Sequence, residues 1–236
     1  MSTQTSSVKV WDLPTRIFHW SLAICVPAAV ITQGIGGEMM EWHGRLGLTI
    51  LGLLSFRIVW GFVGSTHARF CSFVRGPGAI QSYLEGAWKG LGHNPLGALS
   101  VLGLLAVLLL QASTGLFAHD DIDFQGPLYA LVGSNISSAF KEVHEGLAAV
   151  MFFLIIAHLS AIVYYVKVKK DNLVIPMITG KKEVASEDSY TDAKGGGPIA
   201  FIFALLIALA VVYAASGAFV PKALTEQPKA SPQQNW

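Results

Sequence analysis

Seven histidines punctuate the 236-residue chain: His19, His43, His67, His93, His119, His144 and His158. Four of them, His19, His43, His144 and His158, fall inside or at the ends of long apolar runs, where an ionisable side chain is costly and as a rule functional. His144 and His158 are fourteen residues apart. On a helix that interval rises about 21 Å and closes roughly 40° short of four full turns, so both face one side at two depths. His19 lies at the depth of His158, near the inner end of its run, and His43 at the depth of His144, near the outer end. One imidazole on each side of a porphyrin, supplied by two facing helices, is what bis-histidine ligation of a b-type haem requires. Two such pairs predict two non-covalent b-type haems, one near each membrane surface. A lone membrane histidine is explained as well by an interhelical hydrogen bond or an interfacial anchor; the depth-matched pairing of four favours haem. Zinc or copper is disfavoured by the separation of the pairs and by the lack of carboxylate or thiolate at coordinating spacing. No catalytic triad, glycine-rich phosphate loop or paired carboxylates is present, and no catalytic residue is assigned.

The neighbours of these histidines admit two readings each. Gly44 and Gly47 follow His43, and Gly146 and Ala148 follow His144. Small residues there suit either close helix packing or room for a flat macrocycle. Arg16, one turn before His19, and Arg57, near the inner end of the second run, either snorkel to the interface or pair with the propionates of an inner haem.

The elements that must position these residues are membrane helices. The chain is 53% hydrophobic and 13% charged, with mean hydropathy +0.52 and net charge +1. Such a composition excludes disorder and an ordinary soluble globule, and a net charge this small gives no sign of nucleic-acid binding. Spans of about 20 apolar residues are expected at Ile17 to Ile35, Gly44 to Val63, Leu96 to Ala118, Gly146 to Val166 and Pro198 to Val220, with a kink possible at Pro27. Cys25 and Cys71 stand in no CxxC or CxxCH pattern, which argues against disulfides, zinc ribbons and covalent haem. No cleaved signal peptide is expected.

Basic residues accumulate on one side of these spans: Lys9 and Arg16, then Arg69, Arg75 and Lys89, then Lys167, Lys169, Lys170, Lys181, Lys182 and Lys194. The other side carries Glu38, Glu41, Asp120, Asp121, Asp123 and Lys141, with Lys222 and Lys229 in the tail. The positive-inside rule then puts the N-terminus in the cytoplasm and the C-terminus outside. The run KKEVASEDSYTDAKGGG, Lys181 to Gly197, reads as a flexible polar linker. The fold expected is an all-α membrane protein, a four-helix transmembrane haem-binding bundle plus one additional C-terminal transmembrane helix. Its parts are residues 1–180, a cytoplasmic linker 181–197, a fifth helix 198–220 and a polar outer tail 221–236.

The run KEVHEGLAAVMFFLIIAHLSAIVYYVKVKKDN, Lys141 to Asn172, resembles the last core helix of the bacterial cytochrome b561 family. VWDLPTRIFHW, Val10 to Trp20, and GHNPLGALS, Gly92 to Ser100, resemble its branch that includes cytochrome b subunits of nickel-iron hydrogenases. The resemblance covers Val10 to Gly180 and implies two b haems, held by His19 with His158 inside and His43 with His144 outside. It also implies that His93 serves as a propionate or interface partner rather than a ligand. His67 is placed to join Arg69 on the inner loop, and His119 is a surface histidine of the acidic outer loop.

The function expected is respiratory electron transfer across a bacterial inner membrane, between quinone or quinol and a redox partner such as a c-type cytochrome. The alternative is a membrane-anchor cytochrome b subunit of a hydrogenase or other oxidoreductase. A haem-free transporter or structural membrane protein is the reading of another class. Whether the chain is an enzyme turns on a quinone site, which no motif locates. The loop Asp120 to Asp123 either docks a basic partner or is simply solvated. The fifth helix either binds a partner or a second copy through Ala208, Ala210, Ala214 and Ala215, or anchors in lipid.

Overall fold

The computed structural model describes residues 5–88, 90–185 and 190–221. Lys89, Lys222, Lys229 and the polar tail after Pro221 lie outside the described residues. Five helices are long and apolar enough to cross a membrane, and the protein is a multi-pass helical membrane protein. They are α1 (Leu13–Ile35), α2 (Met39–Val63), α5 (Pro95–Gly115), α6 (Ser134–Tyr164) and α8 (Pro198–Ala215). Short helices α3 (Phe70–Phe73) and α4 (Pro77–Leu84) lie between α2 and α5, and α7 (Val174–Thr179) follows α6.

Helix ends follow local chemistry rather than the edges of the apolar runs. α1 begins four residues before the expected Ile17, because Asp12 caps it by accepting from the Thr15 N–H at 2.7 Å and Pro14 pre-sets the first turn. It ends at Gly36 and Gly37, both with positive φ, which reverse the chain into α2. Asn94 caps α5, accepting from the Gly97 N–H at 2.8 Å. α6 begins at Ser134, twelve residues before the expected Gly146. Its 31 residues span about 46 Å at 1.5 Å per residue, beyond the roughly 30 Å of hydrocarbon, so a hydropathy window registers only its lipid-embedded part. The helix closes in a π-helical turn, Tyr165–Lys169, ended by Lys170 with φ 56°. Pro27 stays inside a continuous α1.

The bundle core is a single apolar layer drawn from four helices. Phe18, Val26 and Ala29 of α1 meet Ile50 and Leu54 of α2, Leu108 of α5 and Met151 of α6. The layer lies between the levels of His19 and His43 on the chain, and so separates the two ends of the bundle.

The stretch Lys181 to Gly197 is not the free linker expected from its composition. Its first residues form β2 (Lys181–Ala185), antiparallel to β1 (Thr5–Lys9), with Lys9 opposite Lys181. Its last residues are pinned as well. Lys9 N–H donates to Asp192 Oδ1 at 2.7 Å, Ala193 N–H to the Lys9 carbonyl at 2.8 Å, and Thr66 N–H to the Lys194 carbonyl at 2.8 Å. Gly195 and Gly196 have positive φ, and a Cβ on Gly196 would sit 2.8 Å from the Trp60 ring.

α8 packs along α2 rather than standing apart. Ala204 and Ala208 join Phe56, Trp60 and Ala68 in a second buried cluster, and Phe201 sets its ring edge-on to both Phe56 and Trp60. Ala208 and Ala215 are thus used within the chain, while Ala210 and Ala214 remain exposed, which corrects the expectation of one intermolecular small-residue face.

Candidate functional site

One end of the bundle sets the imidazoles of two helices opposite each other. The His43 ring on α2 and the His144 ring on α6 have centroids 6.2 Å apart, nearly perpendicular at 83°. Two imidazoles across one metal ion, each at a bond of about 2 Å, place their centroids about 6 Å apart. Each ring is oriented by a backbone carbonyl that accepts from its Nδ1: Ala29 O from His43 at 2.8 Å and Gln111 O from His144 at 2.9 Å. Fixing Nδ1 as the protonated nitrogen leaves Nε2 with its lone pair free for a metal. Gly115 gives the His144 ring its space, since a Cβ there would lie 3.0 Å from its Cε1. Gly47 and Gly146 face open space within 4 Å of where a Cβ would stand. Gly44 is filled by the Phe124 ring, 2.9 Å from the same hypothetical atom, so close packing accounts for that glycine.

The inner end gathers His19 of α1, His158 of α6 and His93 from the loop before α5, close enough to act on one another electrostatically. His93 is wedged between the rings of Trp11 and Phe73, at 4.6 and 4.8 Å. Burial, and after it the charge of Arg57, push the His93 imidazole down to about 3, so it is neutral at physiological pH. Arg57 is 2% exposed, with its guanidinium over the Phe70 ring at 5.2 Å. Full burial on α2 excludes the snorkelling reading for Arg57. Arg16 donates to the Ile178 carbonyl of α7. Four of these five polar residues have a buried nitrogen without a hydrogen-bond partner among the described residues: Arg16 Nε, Arg57 Nη1, His19 Nδ1 and His93 Nδ1. Buried donors without acceptors are rare and costly, and a propionate-bearing ligand supplies the acceptors they lack.

Among the described residues no three His, Cys, Asp or Glu side chains converge on one point. Two-imidazole sites suit a metal that brings its remaining ligands in a macrocycle. The His43–His144 spacing fits haem iron, and the unpartnered buried nitrogens at the other end fit a propionate-bearing group.

The remaining candidates divide. His67 lies against Gly92, beside His93, and makes no contact with Arg69 among the described residues. His119 is tied to its own loop, with Nε2 2.8 Å from Asp121 Oδ1 and Nδ1 3.1 Å from Ser137 Oγ. In the same loop Asp120 Oδ1 accepts from the N–H groups of Ile122, Asp123 and Phe124, and Lys141 pairs with Asp121. Two of the three acidic side chains therefore fold the loop on itself.

The positioning residues had little signature. Ala29 and Gln111 act through backbone carbonyls, which any residue carries. Asp12, which caps α1, also reaches Trp60 across 48 positions, a contact with no local pattern.

Comparison with known proteins follows this geometry. The family model described as prokaryotic cytochrome b561 matches residues 10–180. The chain is 24% identical over 216 residues to a protein of Rhizobium leguminosarum bv. viciae named probable Ni/Fe-hydrogenase B-type cytochrome subunit, covering 76% of this chain and 90% of that protein. A Rhodobacter capsulatus protein of the same name is 24% identical, with 75% and 82% covered. The Escherichia coli K12 protein named probable Ni/Fe-hydrogenase 1 B-type cytochrome subunit is 22% identical over 48% of this chain, and the chain spans 60% of its length. No solved structure matches the chain.

Proposed function

Because the chain belongs to the prokaryotic cytochrome b561 family, whose members are membrane electron carriers containing haem b, we propose that it is a dihaem cytochrome passing electrons singly across the membrane. His19 and His158 hold one iron at the inner end, and His43 and His144 hold the other at the outer end. Haem iron supplies the one-electron ferric–ferrous exchange that amino acids alone lack. The chain's residues do the rest. The carbonyls of Ala29 and Gln111 fix the outer imidazoles, and Arg16, Arg57 and His93 would meet the inner propionates. Residues 1–180 carry the redox centres, with the N-terminus and the loops bearing Arg69 and Lys182 in the cytoplasm and the C-terminus outside.

The observation that supports this reading most is the His43–His144 spacing of 6.2 Å, with both Nδ1 atoms already engaged. A reduced-minus-oxidised spectrum of the purified protein tests it: a b-type alpha band and two haems per chain are expected. His158→Ala should lose the inner haem and keep the outer one. Two six-coordinate haems in that variant would overturn the pairing, and no b-type band in haem-replete cells would return the chain to a haem-free class.

Two electron routes share these centres. One joins the quinone pool to a c-type cytochrome at the outer face. The other makes the chain the membrane cytochrome subunit of a hydrogenase, and the names of its relatives favour that partner. Lys141 offsets the charge of Asp121, which weakens the first by reducing the loop's pull on a basic surface. Copurification decides: hydrogenase subunits retained through mild detergent extraction support the second route, and a retained c-type cytochrome supports the first.

A further inference from the structure

The Asp12 carboxylate has more partners than a helix cap needs. It is 8% exposed. Besides capping Thr15 through Oδ1, it accepts through Oδ2 from Trp60 Nε1–H at 3.0 Å and from the Ser65 hydroxyl. Trp60 is fully buried. Three donors from α1, α2 and the following loop therefore hold one anion in place beneath protein. Asparagine or serine caps a helix as well, so the cap does not account for a charge at this depth, where desolvation is costly unless the charge is compensated.

Arg57, the buried cation of α2, stands one turn before Trp60, the tryptophan that donates to Asp12. Among the described residues Arg57 and Asp12 make no ion-pair contact, and Arg57 Nη1 stays free for another acceptor. Asp12 precedes His19 by seven residues, about two turns and 10 Å of rise.

We infer that Asp12 is a fixed buried charge that holds the inner redox centre's potential below the value Arg57 alone would give it. The inference rests on the proposal that His19 and His158 hold a haem. Reduction adds a negative charge to such a centre, so a nearby anion disfavours it and a cation favours it. At an effective dielectric of about 20, unit charges about 10 Å apart shift an equilibrium by roughly tenfold, equivalent to about 59 mV for a one-electron couple.

Redox potentiometry of the full haem-loaded chain tests this, with His158→Ala identifying the outer centre's component. Asp12→Asn keeps the cap and the volume and removes the charge. It is expected to raise the inner potential by about 59 mV, the tenfold shift above, and to leave the outer potential in place. Arg57→Gln is expected to lower the inner potential, and the double substitution to bring it back toward wild type. Asp12→Ser, a smaller cap without charge, provides the same sign should the Asn variant fail to assemble. An unmoved inner potential in these variants overturns the assignment. So does movement in one direction for both single substitutions at Asp12 and Arg57, which is what loosening a merely structural contact produces. A wild-type protein with no b-type band defeats the haem reading; a normal wild-type spectrum with no Asp12 effect defeats only this one.

Discussion

Gly115 shows how one hydrogen atom in place of a methyl group shapes a ligand site. A Cβ at this position would lie 3.0 Å from His144 Cε1 and 3.2 Å from its Nδ1, closer than a ring can tolerate without turning. Gly115→Ala is expected to displace the imidazole from the Gln111 carbonyl and to reduce outer-haem content, with the inner centre retained. Haem-to-protein stoichiometry in wild type and in the His158→Ala background separates the two, and unchanged outer occupancy would show that the ring has freedom the geometry denies it. The four histidines were legible because imidazoles in apolar runs are conspicuous. The groups that aim them were not, since Ala29 and Gln111 contribute only main-chain oxygen, and Asp12 reaches a tryptophan 48 positions away.

The helical elements divide by what announces them. Apolar length announced five spans, but the outer start of α6 lies among serine, lysine and glutamate, where helix formation has no hydropathy signal. The β1–β2 ladder joins polar residues about 180 positions apart, and pairing at such distance leaves no local pattern. The packing of α8 on α2 carries a direct prediction. Ala204 is fully buried against Phe56 and Trp60, so Ala204→Leu overpacks the seam, at a cost of about 1–3 kcal/mol. Faster proteolysis at residues 190–197 is expected, whereas Ile199→Leu, at an 84% exposed position, should leave cleavage unchanged.

The outer loop provides a prediction in pH. Lys141, by hydrogen bond and then by charge, holds the Asp121 carboxyl below its ordinary 3.8, against the opposing pull of desolvation. For Asp120 desolvation is the largest single influence and raises it, but the N–H groups of Ile122, Phe124 and Asp123 together outweigh that and hold it low too. A depressed carboxyl stabilises the fold above its unfolded pKa, and the contribution disappears as pH falls through the folded value. The loop should therefore be ordered at pH 5 to 8 and loosen below about pH 4. Amide exchange at Ile122 and Phe124, corrected for the intrinsic pH dependence, should lose protection in that window while α6 keeps its own.

At the scale of the whole molecule, charge asymmetry gives an orientation that the native cysteines can report. Cys71 is exposed within α3, among the basic residues between the second and third spans, and Cys25 is half-buried within α1. In a Cys25→Ser background a membrane-impermeant maleimide should label Cys71 in inverted vesicles and not in right-side-out ones. The opposite pattern would reverse the orientation and, with it, which haem meets which compartment.

The clasp between Lys9 and residues 192 and 193 sets a timetable for biogenesis. A ribosome delivers the chain from its N-terminus, and contacts between distant residues must wait for the later one to emerge. Lys9 is made before the first span, yet its partners leave the ribosome only after four spans have been synthesised. Until then the inner face lacks the Gly195–Gly196 cover over Trp60. That end of the bundle therefore closes only once the start of α8 has emerged.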